Sequence, residues 1–186
     1  MTIPYPLRVL PALVQFLPLS VFASYAFWRG VPDAGRWVEA FQVGAFAAAV
    51  ELAVLLPRAR PTNRLILGAN LYLLVGGVAA FAGQWWVLKA YDVLKESGIF
   101  VAMLAVGVVT TVATPAGFVA LADADGHDVR RASLWLLAAT ALALAMSIAF
   151  RGDRFWAAAG PVTGLALLQR VLARRARTPR EAAPAA

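Results

Sequence analysis

An all-α bundle of about six membrane-spanning helices is the fold this sequence predicts, and three observations predict it. Six stretches of mostly apolar residues, each closed by a short basic or Gly/Pro-rich break, account for most of the 186 residues. The chain is 61% hydrophobic and 15% charged, with a mean hydropathy of +0.71, against about 45–50% and about 25% in soluble domains. A hydrocarbon core of about 30 Å takes about 20 helical residues to cross, and a soluble domain of this size could not bury so many unbroken apolar runs.

The spans fall near residues 9–28, 38–56, 65–87, 97–122, 132–150 and 155–172. The first contains Pro11 and Pro18, has only Arg8 before it and offers no A-x-A site, so it is a span and not a cleaved signal peptide. AFQVGAFAAAVELAVLLP forms the second and stops before Arg58. In the third, Gly76 and Ala80, and Ala79 and Gly83, stand in the small-xxx-small register of closely packed membrane helices. After it, KAYDVLKESG spaces Lys89, Asp92 and Glu96 as an interfacial helical extension. The fourth and fifth spans flank the polar turn DADGHD. The sixth ends in QRVLARRARTPREAAPAA, so that residues 1–172 form one helical membrane domain and 173–186 a basic, then Ala/Pro-rich, disordered cytoplasmic tail resting on anionic headgroups.

Charge gives the orientation. Arg8, Arg58, Arg60, Arg64, Arg130, Arg131, Arg170, Arg174, Arg175, Arg177 and Arg180 fall on one side, whereas Arg29, Arg36, Lys89, Lys95, Arg151 and Arg154 fall on the other. The positive-inside rule therefore puts both termini in the cytoplasm. Trp28, Trp37, Trp85, Trp86 and Trp156 sit at the opposite, outer ends, where an amphipathic ring favours the headgroup layer, while Trp135 sits near an inner one. The excess of basic residues is thus topological, and nucleic acid is not an expected partner.

Glu51 is the informative intramembrane residue, because an ionisable group in a span is costly and normally faces the bundle interior. Gly44, Ala47 and Ala48 lie seven, four and three positions before it, so a small-residue seam shares its face. Counted from the basic loop residues, Glu51, Asn70 and Gln15 lie at one depth, about 10 Å from the cytoplasmic end. Thr114 and Thr111 join that layer from the fourth span. Two readings of the layer stay open, interhelical hydrogen-bonding and a proton, ion or substrate path. Pro18, Pro115 and Pro161 each remove a helical hydrogen bond and are expected to kink or hinge their helices.

Other chemistry is sparse. With no cysteine there is no disulfide, thiolate site or cysteine nucleophile. His127 stands among Asp123, Asp125 and Asp128, but glycine comes fourth instead of sixth and Leu134 occupies the bidentate position, so the EF-hand pattern fails and no metal is expected. H-E-x-x-H, G-x-S-x-G, Walker A and Rossmann patterns are missing, and neither enzymatic activity nor a cofactor is expected.

The segment LVQFLPLSVFASYAF, with its F-L-P-L run, resembles the opening of the bacterial intracellular septation protein A family of small inner-membrane proteins. VGGVAAFAGQWWVLKAYDVLKESGIFVAMLAVG and SLWLLAATALALAMSIAFRGDRFWAAAGPVTGLALL are similar to later blocks of that family. The resemblance implies a non-enzymatic multi-pass protein of the bacterial inner membrane that acts through integral membrane partners in cell-envelope synthesis or septation, possible as a homo-oligomer. The intramembrane polar layer supports the alternative of a small proton- or ion-coupled transporter or channel around Glu51. A lipid enzyme would have only DADGHD to work with.

Overall fold

The computed structural model describes residues 16–177 apart from 31, 56–62, 123 and 154, and the tail assigned to 178–186 lies outside the described residues. Among them the chain is helical throughout: α1 Leu17–Phe27, α2 Ala34–Leu55, α3 Arg64–Phe81, α4 Trp85–Leu94, α5 Ser97–Ala113, α6 Gly126–Ala149 and α7 Gly160–Arg177, the last entered through one π-helical turn, Phe155–Ala159. α3 is the central element, packed most extensively against α2 and α5, with α1 lying on α2 and with α6 and α7 completing the far side.

Local chemistry sets the ends. The Asn63 side chain accepts the amides of Leu65 (3.0 Å) and Ile66 (3.5 Å) and starts α3. Its C-terminus closes with Gly83 at φ +62° and the Gln84 amide bonded back to the Ala79 carbonyl at 2.8 Å, the six-to-one bond of a Schellman cap. α3 therefore stops at Phe81 and not near Val87, and exposed Gly83 is a turn residue instead of part of a packing seam. α4 forms the helical extension expected of KAYDVLKESG and meets α5 at a bend of 100°.

The expected fourth span is also shorter. α5 ends at Ala113, Thr114 is extended at φ −134°, ψ 140°, and residues 115–120 run in turns. Proline disfavours the α conformation in the residue before it, so Pro115 terminates this helix where a kink was expected. Pro18 sits in the first turn of α1, where its missing amide costs no bond. Pro161 follows the π-helical turn at the start of α7, an irregularity at the expected place.

Four helical stretches are long and apolar enough to cross a bilayer, Ala34–Val54, Arg64–Phe81, Gly126–Ala149 and Phe155–Ala176, or five if α4 and α5 together count as one broken span. The described part of α1 has 11 residues, too few to cross, and the earlier part of the first expected span lies outside the described residues. The chain is a multi-pass membrane protein by these helices, with four to five candidate spans where the sequence predicts six.

Small residues let α2 and α3 approach. A Cβ at Gly77 would collide with that of Ala45 and stand 2.8 Å from the Phe41 carbonyl oxygen, and one at Gly76 would meet the rings of Phe41 and Tyr91. Into this contact pack Phe22, Phe41, Tyr72 and Tyr91, with ring centroids of Tyr72 and Tyr91 4.7 Å apart and the Tyr91 hydroxyl donating to the Tyr72 carbonyl at 2.9 Å.

Gly77→Val should lower resistance to denaturant in detergent by about 1–3 kcal/mol, the usual cost of overpacking. Gly164→Ala, where a Cβ meets nothing within 4 Å, should not lower it. Equal midpoints for the two variants would disprove the close α2–α3 approach.

Candidate functional site: an intramembrane carboxyl at the α2–α3 contact

Helical periodicity carries Glu51 to the same face as the buried Gly44 and Ala48, Gly44 lying against Phe22 of α1 and Leu73 of α3. Glu51 is 8% exposed and Asn70 1%. The two meet across the contact, the Asn70 amide donating through Nδ2 to Glu51 Oε2 at 3.1 Å. Glu51 Oε1 is buried and has no hydrogen-bond donor among the described residues. A buried acceptor left this way costs about 1–3 kcal/mol; on a carboxyl group a proton at the open oxygen removes the charge, and a cation there supplies the missing partner.

Asn70 also borders a narrow apolar crevice lined by Phe16 just before α1, Leu19 of α1, Met103 of α5 and Val162 and Leu165 of α7. The amide thus borders both the carboxyl and a crevice to which α1, α3, α5 and α7 all contribute. Gln15 lies outside the described residues.

Thr114 and Thr111 belong to a different constellation. Arg64, at the start of α3, directs Nη1 at the Thr114 hydroxyl and at the carbonyls of Gly117 and Thr110. The last carbonyls of any helix lack partners within it, and a cation there also meets the negative end of the helix dipole. Arg64 therefore caps the broken end of α5 from a neighbouring helix. The Thr110, Thr111 and Thr114 hydroxyls each donate to a carbonyl one turn back, at 2.7 Å in every case, so none has its proton free for the Glu51 layer. Sequence counting treated Arg64 as a loop charge, and its role was missed. The available signal was T-P-x-G, a helix stop whose orphaned carbonyls in an apolar setting demand a donor.

DADGHD resolves as a helix start. The Asp125 side chain accepts the His127 amide at 2.9 Å and caps α6, Asp128 lies in the first turn, and His127 Nδ1 is 3.9 Å from Asp128. No group of three His, Asp or Glu residues able to hold a metal occurs among the described residues, with Asp123 outside them. Serine and threonine elsewhere in the core, Ser133, Thr140 and Ser147 of α6, recur every seven residues on one buried face.

No family model matches the chain, and neither does any curated protein or solved structure.

Arg64→Leu should expose the end of α5, so that amides over 110–121 exchange at least about tenfold faster in hydrogen-exchange mass spectrometry, the equivalent of the about 1.5–3 kcal/mol carried by hydrogen bonds to a charged group. Arg64→Lys should recover part of the protection. Unchanged exchange in Arg64→Leu would dismiss the cap.

Proposed function

We propose that this chain is a small proton- or ion-coupled membrane transporter or channel, with Glu51 as the group that takes up and releases the coupling ion. The observation that carries the reading is the open Glu51 Oε1, buried at a helix contact while Oε2 accepts the Asn70 amide. Intramembrane carboxyl groups facing a bundle interior are the usual parts of proton relays and ion paths. Asn70 holds one oxygen, leaving the other for the proton or cation. The bend between α4 and α5 supplies the kind of interrupted helix that lines such paths.

Reconstituted into vesicles, the wild-type chain should dissipate an imposed proton or monovalent-cation gradient, and Glu51→Gln should reduce the flux to that of protein-free vesicles. Flux in Glu51→Gln equal to wild type would remove Glu51 as the coupling site, and a wild-type chain with no flux would end the transport reading.

A second reading, a non-enzymatic partner protein of cell-envelope synthesis or septation in the bacterial inner membrane with its termini in the cytoplasm, keeps the support of the F-L-P-L resemblance. It is favoured by one surface in particular. Val101, Ala105, Val108 and Val112 form an exposed ridge along α5, made only of short side chains, and small residues are what lets a second membrane helix come close.

A photoactivatable residue at Val108 should then cross-link in native membranes to envelope or division proteins. Capture of lipid alone would count against the partner reading, and capture of a second copy would assign the ridge to self-association.

A further inference from the structure

A groove separate from Glu51 opens between α1 and the beginning of α2. It has a volume of about 810 Å³ and runs from Leu17 and Val21, past Ser20 and Ser24, to Arg29 and Arg36. Along α1 the apolar and hydroxyl residues recur at four-residue spacing, so both face the groove. Twelve residues separate Leu17 from Arg29, about 18 Å of helical rise, close to the depth of one leaflet. Trp28, 82% exposed, and Trp37 mark the arginine end as the headgroup level.

The charges at that end are not paired with one another. Glu39 Oε2 accepts the Tyr25 hydroxyl at 2.9 Å and Asp33 Oδ1 accepts the Arg36 backbone amide at 2.8 Å. Both carboxylates take a hydrogen bond from a neutral donor and keep their charge, so the four charges lining this end balance while the guanidinium donors stay unused. Neither the Arg29 nor the Arg36 guanidinium has a hydrogen-bond or ion-pair partner among the described residues, and both act on Tyr25 electrostatically. Two open guanidinium forks at one mouth suit a tetrahedral anion, since each can give paired hydrogen bonds to phosphate oxygens.

We propose that this groove is a phospholipid site, in which Arg29 and Arg36 hold the lipid phosphate and one acyl chain lies along Leu17 and Val21. Free phosphate would fill the mouth and make no use of the apolar half, which then holds only the chains of passing lipids, whereas a neutral lipid would fill the apolar half and leave both cations open. Only an amphiphile bearing phosphate meets both ends. The Ser24 hydroxyl stands between, about 8 Å from the Arg29 level and nearest the ester oxygens, while Ser20 lies beside the acyl chain.

The test uses the full chain in nanodiscs containing phosphatidylglycerol that carries a diazirine on its acyl chain. Light should label the 17–25 segment. Labelling there should fall about tenfold in Arg29→Gln/Arg36→Gln, the loss that follows from removing charge-assisted hydrogen bonds to phosphate, while labelling of the exposed α5 ridge stays constant and reports an intact fold. Val21→Trp, which fills the apolar half, should lower the same label with both arginines present. Equal labelling by a diazirine diacylglycerol, or no change in either variant, would overturn the site. Loss of the label in excess inorganic phosphate would overturn the lipid assignment in favour of a free anion.

Discussion

The close approach of α2 to α3 is the constraint from which the rest of the molecule follows. Gly76 and Gly77 let the Phe41–Ala45 turn of α2 sit directly on the α3 backbone. In an antiparallel pair, that contact fixes what meets further along: Ala45 at Gly77 places Glu51 at Asn70, six residues down one helix and seven down the other. The same nearness explains why a carboxyl at this position is shut away from lipid. In a bilayer there is no hydrophobic drive between helices, so small residues and interhelical hydrogen bonds carry association, and here the two occur in one seam.

A second consequence of the bilayer is that every backbone group must find a partner inside the protein. Most of the chain meets this with helices capped locally, as Asn63 and Asp125 do by accepting amides of the following turn. The end of α5 cannot, because Pro115 has no amide to give and Thr114 is extended. Arg64, from across the bundle, holds the chain around this break by donating to the Thr114 hydroxyl and to the Thr110 and Gly117 carbonyls. The α3 start, the α5 end and the turn at Gly117 are thus one unit, and Gly117 at φ +56° lies so close to the Ser133 hydroxyl that no side chain fits there. α6 is tied into the unit through the same serine, which accepts the Val119 amide at 3.4 Å.

What could be foreseen from the sequence depended on whether position along a helix was enough. Apolar length sufficed to identify helices crossing or lying in a bilayer, and counting from Arg58 and Arg64 sufficed to place Glu51 and Asn70 at one depth, where they do bond. The same counting failed for Thr111 and Thr114. It assumed that the fourth span continued to Ala122 and that every arginine marks a surface, whereas T-P-x-G stops the helix nine residues early and Arg64 turns back into the protein. Gly83 failed in a similar way: its spacing suited a packing seam, but its backbone conformation serves the end of α3. Spacing alone does not distinguish a glycine that lets a neighbour approach from one that lets the chain turn.

The chemistry of the Glu51 seam bears on why an acid stands there at all. If helix adhesion were the whole purpose, glutamine would serve as well, since it could accept the Asn70 amide through its oxygen and offer its own amide to a neighbouring carbonyl, with no charge to desolvate. Glutamate has a donor only while it is protonated, and what it adds over glutamine is the capacity to release that proton or attract a cation. Among the described residues two other buried side-chain oxygens lack a partner, Glu96 Oε2 and Ser147 Oγ. Ser147 is not ionisable in this range, and Glu96 stands at the bend between α4 and α5, outside the helices, in a residue that is only partly buried as a whole. Among the described residues Glu51 alone combines an ionisable group and an open oxygen with a place inside a candidate span, one turn from its end. The adhesion reading accounts for Asn70 and for the seam and leaves the second carboxyl oxygen unused; the proposed exchangeable ion would be the group that uses it.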